Sequence, residues 1–398
     1  MDYSAQPVLF QLRKVLRYCR LYGPRRTWVK VQAQRHLRRR FEPLPAPRRP
    51  AAHQSVGLVG CGNYAFSNIA HYLTQSHGAV LGGCMDANVH RAASLARTYG
   101  VPFFTENADE LIDLPGIRIV YIASNHASHA EYAIRCLERG KDVYIEKPHV
   151  VSEDQLQLLL AAMHGSDGRV FLGFNRPGSR LGRILRDELD RETGPAMFNW
   201  FVAGHAIDPA HWYFHPDEGG RVLGNLCHWT DFLFTLAPEP RFPIRITPVR
   251  HEQSDCDLAV GYTFGDGTIG VITFSAKGHT FEGVREQFHA HRGRVLATLD
   301  DFQRLLVERG ARKRRYRRLF RDHGHGANIL AAYANSIERL PYDRSARTFH
   351  VANTAWLFLK TRQALEEQRE IVLECCAMDV AGLRKTALKP SEGVFVRL

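Results

Sequence analysis

Short apolar runs alternate with amphipathic stretches between residues 56 and 174. The apolar runs have the length of buried β-strands, and the stretches between them repeat apolar residues with helical periodicity. Alternation at this spacing predicts βαβ units and therefore a parallel sheet. The predicted strands lie at 56–59, 80–85, 117–123, 142–145 and 170–174, and the predicted helices lie at 66–75, 88–99, 127–139 and 152–164.

The pattern becomes strand-rich after residue 174. Gly265-Asp266-Gly267, between two of the later strands, is a hairpin signal. The pattern therefore predicts a second domain of the α+β type, with a largely antiparallel open sheet. Its predicted strands lie at 195–205, 243–249, 258–264, 268–274, 284–291, 293–299, 303–308 and 313–320, and its predicted helices lie at 178–192, 221–236, 326–339 and 347–367.

The predicted organisation is an α/β chain with two domains and two flanking segments. We place the parallel-sheet domain at 53–174, the α+β domain at 175–374 and a C-terminal tail at 375–398. The helix over 347–367 is a candidate to pack back on the first domain. Residues 1–52 form a separate N-terminal arm.

The arm is basic and partly helical. Leu9, Leu12 and Leu16 share one face of a predicted helix over 8–22, and a Pro-rich connector follows before the first domain. Residues 1–50 hold thirteen Lys and Arg against two acids, and the whole chain has a formal charge of +12. The two domains are therefore nearly neutral, and the charge says little about what they do.

Three kinds of partner fit such an arm: a neighbouring subunit, a partner protein and an anionic membrane surface. Nucleic acid is a fourth, since residues 309–321 are also strongly basic. No helix-turn-helix, zinc-finger or RNA-binding motif accompanies either basic segment, which disfavours nucleic acid.

Composition narrows the class of protein and its compartment. A hydrophobic share of 44% with 24% charged residues is ordinary for a globular protein and excludes a disordered or disulfide-scaffold chain. The eight cysteines are scattered without a C-x-x-C pair, which favours reduced thiols. With no apolar stretch long enough to span a bilayer and no secretory signal, we expect a cytoplasmic protein, with the arm as a candidate attachment to the membrane surface.

A glycine-rich turn follows the first predicted strand. In the sequence G-x-G-x-x-A, Gly60 allows a tight turn, Gly62 lets the backbone approach a pyrophosphate, and Ala65 lets the helix pack close to the strand. This turn predicts a Rossmann dinucleotide-binding domain. Asn63 and Tyr64 complete the loop and are further candidates for cofactor contact.

Asp86 ends the second predicted strand, where a carboxylate accepts hydrogen bonds from an adenosine ribose. Ala87 follows it, where a basic residue would suit a 2′-phosphate. The pair favours NAD(H) over NADP(H) as the cofactor.

Polar residues also follow two later strands of the same sheet. Asn125 and Lys147 lie just beyond predicted strand ends, where open α/β sheets bind ligands. Beside an oxidised nicotinamide, the like charge would lower the pKa of Lys147. The amine could then take a hydroxyl proton as hydride leaves, or stabilise the developing oxyanion. The alternative for a lone lysine at this place is a solvated surface charge.

These residues, taken together, resemble the glucose-fructose oxidoreductase/inositol dehydrogenase (Gfo/Idh/MocA) family over roughly residues 54–374. The resemblance implies an NAD(P)-dependent enzyme that oxidises or reduces a hydroxyl of a sugar, cyclitol or sugar nucleotide. It also implies that the second sheet supplies a substrate wall and an oligomer interface. The motifs that carry it are the glycine-rich turn, Asp86, Ser124-Asn125 with His129, Glu146-Lys147-Pro148, Gly173 to Arg176, 217–231, 299–302 and Gly324-His325.

The resemblance assigns the catalytic lysine to Lys147, which would contact both cofactor and substrate, and the catalytic histidine to His228. His129 and Glu146 match motif positions beside the cofactor. Members often carry an acid one helical turn before the histidine, but Gly224 and then Asn225 stand there. Either Lys147 and His228 act alone or catalysis is altered. Asp231, on the same predicted helix, is a candidate to orient His228, and a solvated or capping role is the alternative.

Further side chains are candidates for substrate contact. The guanidinium forks of Arg176 and Arg221 match a diphosphate, although either could form a structural ion pair, which we expect more of Arg221. Trp212 could stack on a sugar ring. His211 and His215 have zinc-ligand spacing, but neighbouring prolines break the segment, and we predict no metal. The predicted substrate-binding set is Lys147, Asn175, Arg176, Trp212, Arg221, Asn225 and His228.

The sequence therefore favours hydride transfer between a nicotinamide and a sugar, cyclitol or sugar-nucleotide carbon in a homo-oligomeric enzyme. A keto-sugar reductase of polysaccharide assembly is a narrower version of this hypothesis. The alternative from another class is a cofactor-binding scaffold with reduced catalysis, or a protein that acts through its arm at a membrane or a nucleic acid.

Overall fold

A computed structural model of the chain describes residues 7–205, 207–208, 210–250, 257–278 and 283–377. Cys256 and most of the predicted tail, from residue 378 onward, lie outside these residues. Within the described part, no helix combines the length and apolar character needed to cross a membrane.

The first domain contains a six-stranded parallel sheet in the order β3-β2-β1-β4-β5-β6. The order reverses between β1 and β4, which places a ligand crevice at the carboxyl ends of these strands. The strands are β1 (Val56–Val59), β2 (Leu81–Met85), β3 (Phe103–Thr105), β4 (Ile119–Ile122), β5 (Asp142–Ile145) and β6 (Val170–Leu172). The helices are α3 (His71–His77), α4 (Val89–Tyr99), α5 (Ala108–Ile112), α6 (His129–Glu138) and α7 (Glu153–His164).

The second domain contains a nine-stranded sheet in the order β14-β13-β12-β11-β7-β10-β9-β8-β15. Only the β7–β10 pair among these described strands is parallel, so the prediction of a largely antiparallel sheet is confirmed. The strands are β7 (Ala196–His205), β8 (Ile244–Arg250), β9 (Leu258–Thr263), β10 (Ile269–Gly278), β11 (Arg285–Arg292), β12 (Val295–Asp300), β13 (Arg304–Arg309), β14 (Arg312–Arg317) and β15 (Ile371–Leu373). The helices are α8 (Arg180–Leu189), α9 (Cys227–Leu236), α10 (His325–Ile337) and α11 (Arg344–Glu367).

Two helices that border the ligand crevice begin with a wider turn than the periodicity predicts. A π-helical turn over Ala65–Ala70 precedes α3, and a second over Val222–Leu226 precedes α9. Both sites carry predicted functional residues, and π-turns are frequent at such places.

Helix α11 joins the two hydrophobic cores. Ala352 and Phe358 pack with the parallel sheet, whereas Leu357 and Leu365 pack with the antiparallel sheet. One long helix therefore contributes side chains to both cores and holds the two domains together beside the crevice.

The arm folds onto its own chain. Helix α2 (Pro24–His36) lies against the first domain, and helix α1 (Val8–Tyr22) packs on α2. The end of α1 contacts the second domain, where the Arg321 amide donates to the Leu21 carbonyl at 2.8 Å. The Arg48 amide donates a hydrogen bond to the Pro102 carbonyl at 2.7 Å. Sequence periodicity gave no indication of this internal docking.

Candidate active site

The glycine-rich loop leaves β1 through two glycines with different roles. Gly60 has φ +84°, and a Cβ there would lie 2.6 Å from the Ala123 backbone, so only glycine fits. A Cβ on Gly62 would meet nothing within 4 Å, so the backbone at this position is open on its outer side. Ala65 is fully buried where the helix passes the strand. This arrangement suits a dinucleotide pyrophosphate.

Asp86 fastens the loop to the end of β2. One carboxylate oxygen accepts the Cys61 amide at 2.8 Å, and the other accepts the Asn88 amide at 2.8 Å. Each oxygen retains a lone pair, so the carboxylate can also accept ribose hydroxyls. Asp86 therefore occupies the place that the sequence predicts.

Asn63 and Tyr64 face different neighbours. The Asn63 Oδ1 accepts a hydrogen bond from the Lys30 amine of α2, while its buried Nδ2 has no partner in the described ranges of the chain. The Tyr64 ring lies 5.8 Å from the His325 ring, measured between centroids. Burial and the nearby Glu146 raise the pKa of Tyr64 well above its usual value, so the phenol stays protonated.

Lys147 lies at the carboxyl edge of the parallel sheet. Its Nζ donates to the Gly224 carbonyl at 2.5 Å. Burial alone would lower the pKa of the amine, but Tyr213, Cys227 and Glu146 around it leave the pKa raised. In the chain alone Lys147 is therefore a charged donor, and the lowering expected beside an oxidised nicotinamide depends on the cofactor's own charge.

Gly224 has no space for the acid that the family often carries. A Cβ there would lie 2.8 Å from the His126 Cε1 and 2.8 Å from a Tyr213 ring carbon. The two rings pack with centroids 4.8 Å apart. The ring of Tyr213 and the Gly224 carbonyl therefore occupy the space beside Lys147 that an acid side chain at position 224 would need.

His228 lies in the first turn of α9 and packs edge-on against Phe174, with ring centroids 6.2 Å apart. Its buried Nδ1 has no hydrogen-bond partner among the residues that the structure describes. Burial, Arg176 and Lys147 lower the pKa of His228 well below its usual value, so the imidazole is neutral. A neutral ring with an unused nitrogen can take part in proton transfer.

Asp231 does not orient His228. It is fully buried, and its Oδ1 lies 3.0 Å from the His350 Nε2 and 3.0 Å from the Thr354 Oγ1, both on α11. The carboxylate thus ties α9 to α11. The solvated and capping roles that the sequence left open for Asp231 are therefore both wrong.

Arg176 is not available for a diphosphate. Its guanidinium pairs with the Glu286 carboxylate through two bonds of 2.8 and 2.5 Å, and the Trp229 Nε1 donates to the same carboxylate at 2.7 Å. Although burial would raise the pKa of Glu286, Arg176 and His323 hold it far below its usual value. Arg176 therefore forms the structural ion pair that was the alternative to a diphosphate contact, and the inward-facing Glu286 is its partner.

Arg221 remains beside the predicted substrate loop. Its Nη1 donates to the His205 carbonyl at 2.9 Å, and its guanidinium lies 5.9 Å from the Phe214 ring centre. Trp212, which is 39% exposed, packs edge-on against His126 with centroids 4.7 Å apart. The partly exposed indole of Trp212 therefore lies next to His126, one of the residues around Lys147.

The two predicted asparagines of the second domain are partly unsatisfied. Asn175 donates to the His323 carbonyl at 2.6 Å and lies 3.4 Å from the His325 Nδ1. Within the described part of the chain, the buried Oδ1 atoms of Asn175 and Asn225 have no hydrogen-bond partner. These oxygens are acceptors that a bound ligand could use.

Asn125, His129 and Glu146 brace the crevice. The Asn125 Nδ2 donates to the Glu218 Oε1 at 2.6 Å, which links the two domains. His129 lies 2.8 Å from the Pro148 carbonyl and 3.2 Å from the Ser124 carbonyl, and burial lowers its pKa to about 4. The Glu146 Oε1 accepts from the Tyr144 hydroxyl at 3.0 Å.

The sequence prediction missed several groups that the fold adds to the site. His126 and Glu218 belong to them, since the His126 Nδ1 lies 2.9 Å from the Glu218 carbonyl across the domain boundary. Their clustering with Tyr213 arises from tertiary contact, although the aromatic and acidic loop over 211–218 was a visible signal. Among the described residues, no group of three or more His, Cys, Asp or Glu side chains could hold a metal ion.

Comparison with known proteins places the first domain in context. Residues 54–174 match the family model described as "Oxidoreductase family, NAD-binding Rossmann fold" (GFO_IDH_MocA). Oxidoreductase P35 of Formosa agariphila is 34% identical over 136 residues, which are 34% of this chain and 42% of that protein. The scyllo-inositol 2-dehydrogenase (NAD(+)) of Bacillus subtilis is 29% identical over 227 residues, which are 55% of this chain and 66% of that protein.

The chain spans about half the length of the first curated relatives that it matches. The similarity of the fold extends further. A levoglucosan dehydrogenase, solved in complex with NADH and L-sorbose, superposes with a TM-score of 0.65 at 17% identity and covers 80% of this chain and 98% of its own.

Proposed function

We propose that the chain, whose residues 54–174 match the Gfo/Idh/MocA oxidoreductase family model, is a dehydrogenase or reductase acting on a hydroxyl or keto carbon of a sugar, cyclitol or sugar nucleotide. NAD(H) is the proposed cofactor. A bound nicotinamide would supply or take the hydride, and the chain's own residues would hold both partners and move the proton.

The placement of Lys147 carries the proposal. Its amine lies at the carboxyl edge of the sheet, fixed by the Gly224 carbonyl, on the same edge as the open backbone of Gly62. Ligands of open α/β sheets bind at this edge.

Proton transfer can then be assigned to Lys147 and His228. As a charged donor, Lys147 can hydrogen-bond the substrate oxygen and stabilise negative charge that develops there. The neutral His228, with its unused Nδ1, can accept a hydroxyl proton in oxidation. No acid side chain shares this work at position 224, because the rings of Tyr213 and His126 fill the space beside Gly224.

Fluorescence titration of the full chain with NADH and with NADPH tests the cofactor. We expect saturable NADH binding and weaker NADPH binding, because the Asp86 carboxylate repels a 2′-phosphate. A chain that binds neither dinucleotide would contradict the proposal.

Turnover with a panel of sugars, cyclitols and sugar nucleotides then tests the chemistry. We expect Lys147→Ala to abolish turnover and to leave the NADH affinity within a few-fold. Lys141→Ala is the matched control, because Lys141 lies before β5 at its opposite end and donates to the Ile117 carbonyl. Loss of NADH binding in Lys147→Ala would instead assign this lysine to the cofactor or to the fold.

A further inference from the structure

Two cations of the arm contact the glycine-rich loop and the helix that follows it. The Lys30 amine bonds the Asn63 side chain, and Arg26 bonds the Asn68 Oδ1 at 2.7 Å and the Ser67 carbonyl. Lys14 of α1 adds a third positive charge that acts on Lys30. The arm therefore presents its basic face to the loop at which a pyrophosphate is expected.

Among the residues that the structure describes, no acid pairs with Lys30 or Arg26. From Pro7 to Phe41 the arm contains no Asp or Glu. Burial and the like charges of Arg26 and Lys14 lower the pKa of Lys30 to about 8, so the amine is still mostly charged at neutral pH.

A buried cation next to other cations is costly unless an anion joins it. The loop itself favours an anion, since Gly62 is open and the helix that follows directs its N-terminal amides toward the loop. We propose that Lys30 binds the pyrophosphate of the dinucleotide together with the loop, so that the arm forms the outer wall of the cofactor site. This assignment rests on the proposed function.

Binding by the full chain and by variants of α2 tests this role. We expect Lys30→Gln to weaken NADH binding roughly 10- to 100-fold, the range for losing a charge-assisted hydrogen bond. Lys30→Arg keeps the charge and should restore most of the affinity. Arg35→Gln is the matched control, since Arg35 is an exposed cation on the same helix, and should leave NADH affinity unchanged.

Two results would overturn the assignment. An unchanged NADH affinity in Lys30→Gln, with an unchanged melting temperature, would show that Lys30 only attaches the arm. A tighter affinity would show that the arm competes with the cofactor. Inorganic pyrophosphate, titrated in parallel, separates this role from the proposed function: if the wild-type chain binds no dinucleotide, Lys30→Gln must still weaken pyrophosphate binding.

A separate observation concerns the outer side of α1. The helix turns Lys14 and Tyr18 toward the domain and leaves an aliphatic stripe in solvent, with Leu12 and Leu16 exposed by 55% and 64%. We name the outer stripe residues Val8, Leu9, Leu12, Val15 and Leu16. The exposed Arg13 and Arg20 lie along one side of this stripe.

We infer that the outer stripe docks on an anionic membrane surface. Its aliphatic residues can enter the lipid interface, while Arg13 and Arg20 contact anionic headgroups. A contact between two stripes is disfavoured, because both arms are basic and free of acids from Pro7 to Phe41.

Co-sedimentation of the full chain with vesicles tests this inference. We expect binding to vesicles that contain phosphatidylglycerol, little binding to pure phosphatidylcholine, and at least a tenfold loss in the double variant Leu12→Asp/Leu16→Asp. Leu158→Asp is the control, because Leu158 is 61% exposed on α7, outside the arm. Equal binding to both vesicle types would overturn the inference, as would a double variant that binds like the wild type or that loses only self-association.

Discussion

At the scale of single residues, the sequence predicted which polar residues lie at the ends of the strands, but it did not predict which charged side chains pair with each other. Lys147 and Asp86 follow strand ends, and the structure places both at the crevice. Arg176 was misassigned because Glu286 lies far along the chain. A signal existed, since Glu286 shares the inward face of β11 with Phe288 and Ala290, where an uncompensated carboxylate would be costly.

Gly224 leads to a prediction at this scale. Gly224→Ala should displace Tyr213 or His126, because the new methyl group would lie 2.8 Å from each ring. We expect an unfolding free energy lower by about 1–3 kcal/mol, as for other overpacked sites. Turnover should fall as well, because the Gly224 carbonyl holds the Lys147 amine.

Urea unfolding and turnover measured on the same preparation check this expectation. Gly165→Ala is the control, because a Cβ at Gly165 would meet its nearest atom at 3.6 Å and at an ordinary negative φ. If Gly224→Ala has the stability and turnover of the wild type, the rings of Tyr213 and His126 can move aside without cost, and the prediction is wrong.

At the scale of elements, periodicity predicted most strands of both sheets and most helices, but it missed the short strands β3 and β15 and the helices α2 and α5. It could not predict the π-turns over Ala65–Ala70 and Val222–Leu226, because a locally widened turn leaves the apolar spacing of the whole helix nearly unchanged. The stripe of Leu9, Leu12 and Leu16 was recognised as one face of α1. Which way that face points depends on the tertiary docking of the arm, and it points outward.

At the scale of the whole molecule, buried histidines make the fold sensitive to acid. Burial lowers the pKa of His71 and His129 to about 4 and that of His149 to about 3, from an ordinary value of 6.5. The unfolded chain therefore takes up these protons first as the pH falls. Stability should be full above about pH 6.5 and decline toward pH 4, by about 1.4 kcal/mol per pH unit for each such histidine.

Urea unfolding at a series of pH values measures this decline. In His149→Gln, the free energy of unfolding should fall less steeply with decreasing pH, because about one proton fewer is taken up on unfolding. His164→Gln, at an exposed position, should not change this slope. An equal slope in wild type and His149→Gln would mean that other groups govern acid unfolding.

The docking of the arm also sets an order for its assembly during synthesis. The partners of α2, from Cys61 to Asn68, follow it closely in the chain, so α2 can settle once the first βαβ unit has formed. Helix α1 has a distant partner, because the Leu21 carbonyl accepts the Arg321 amide. Helix α1 is thus synthesised about three hundred residues before its partner, and it can take its final position only after Arg321 has been added to the chain.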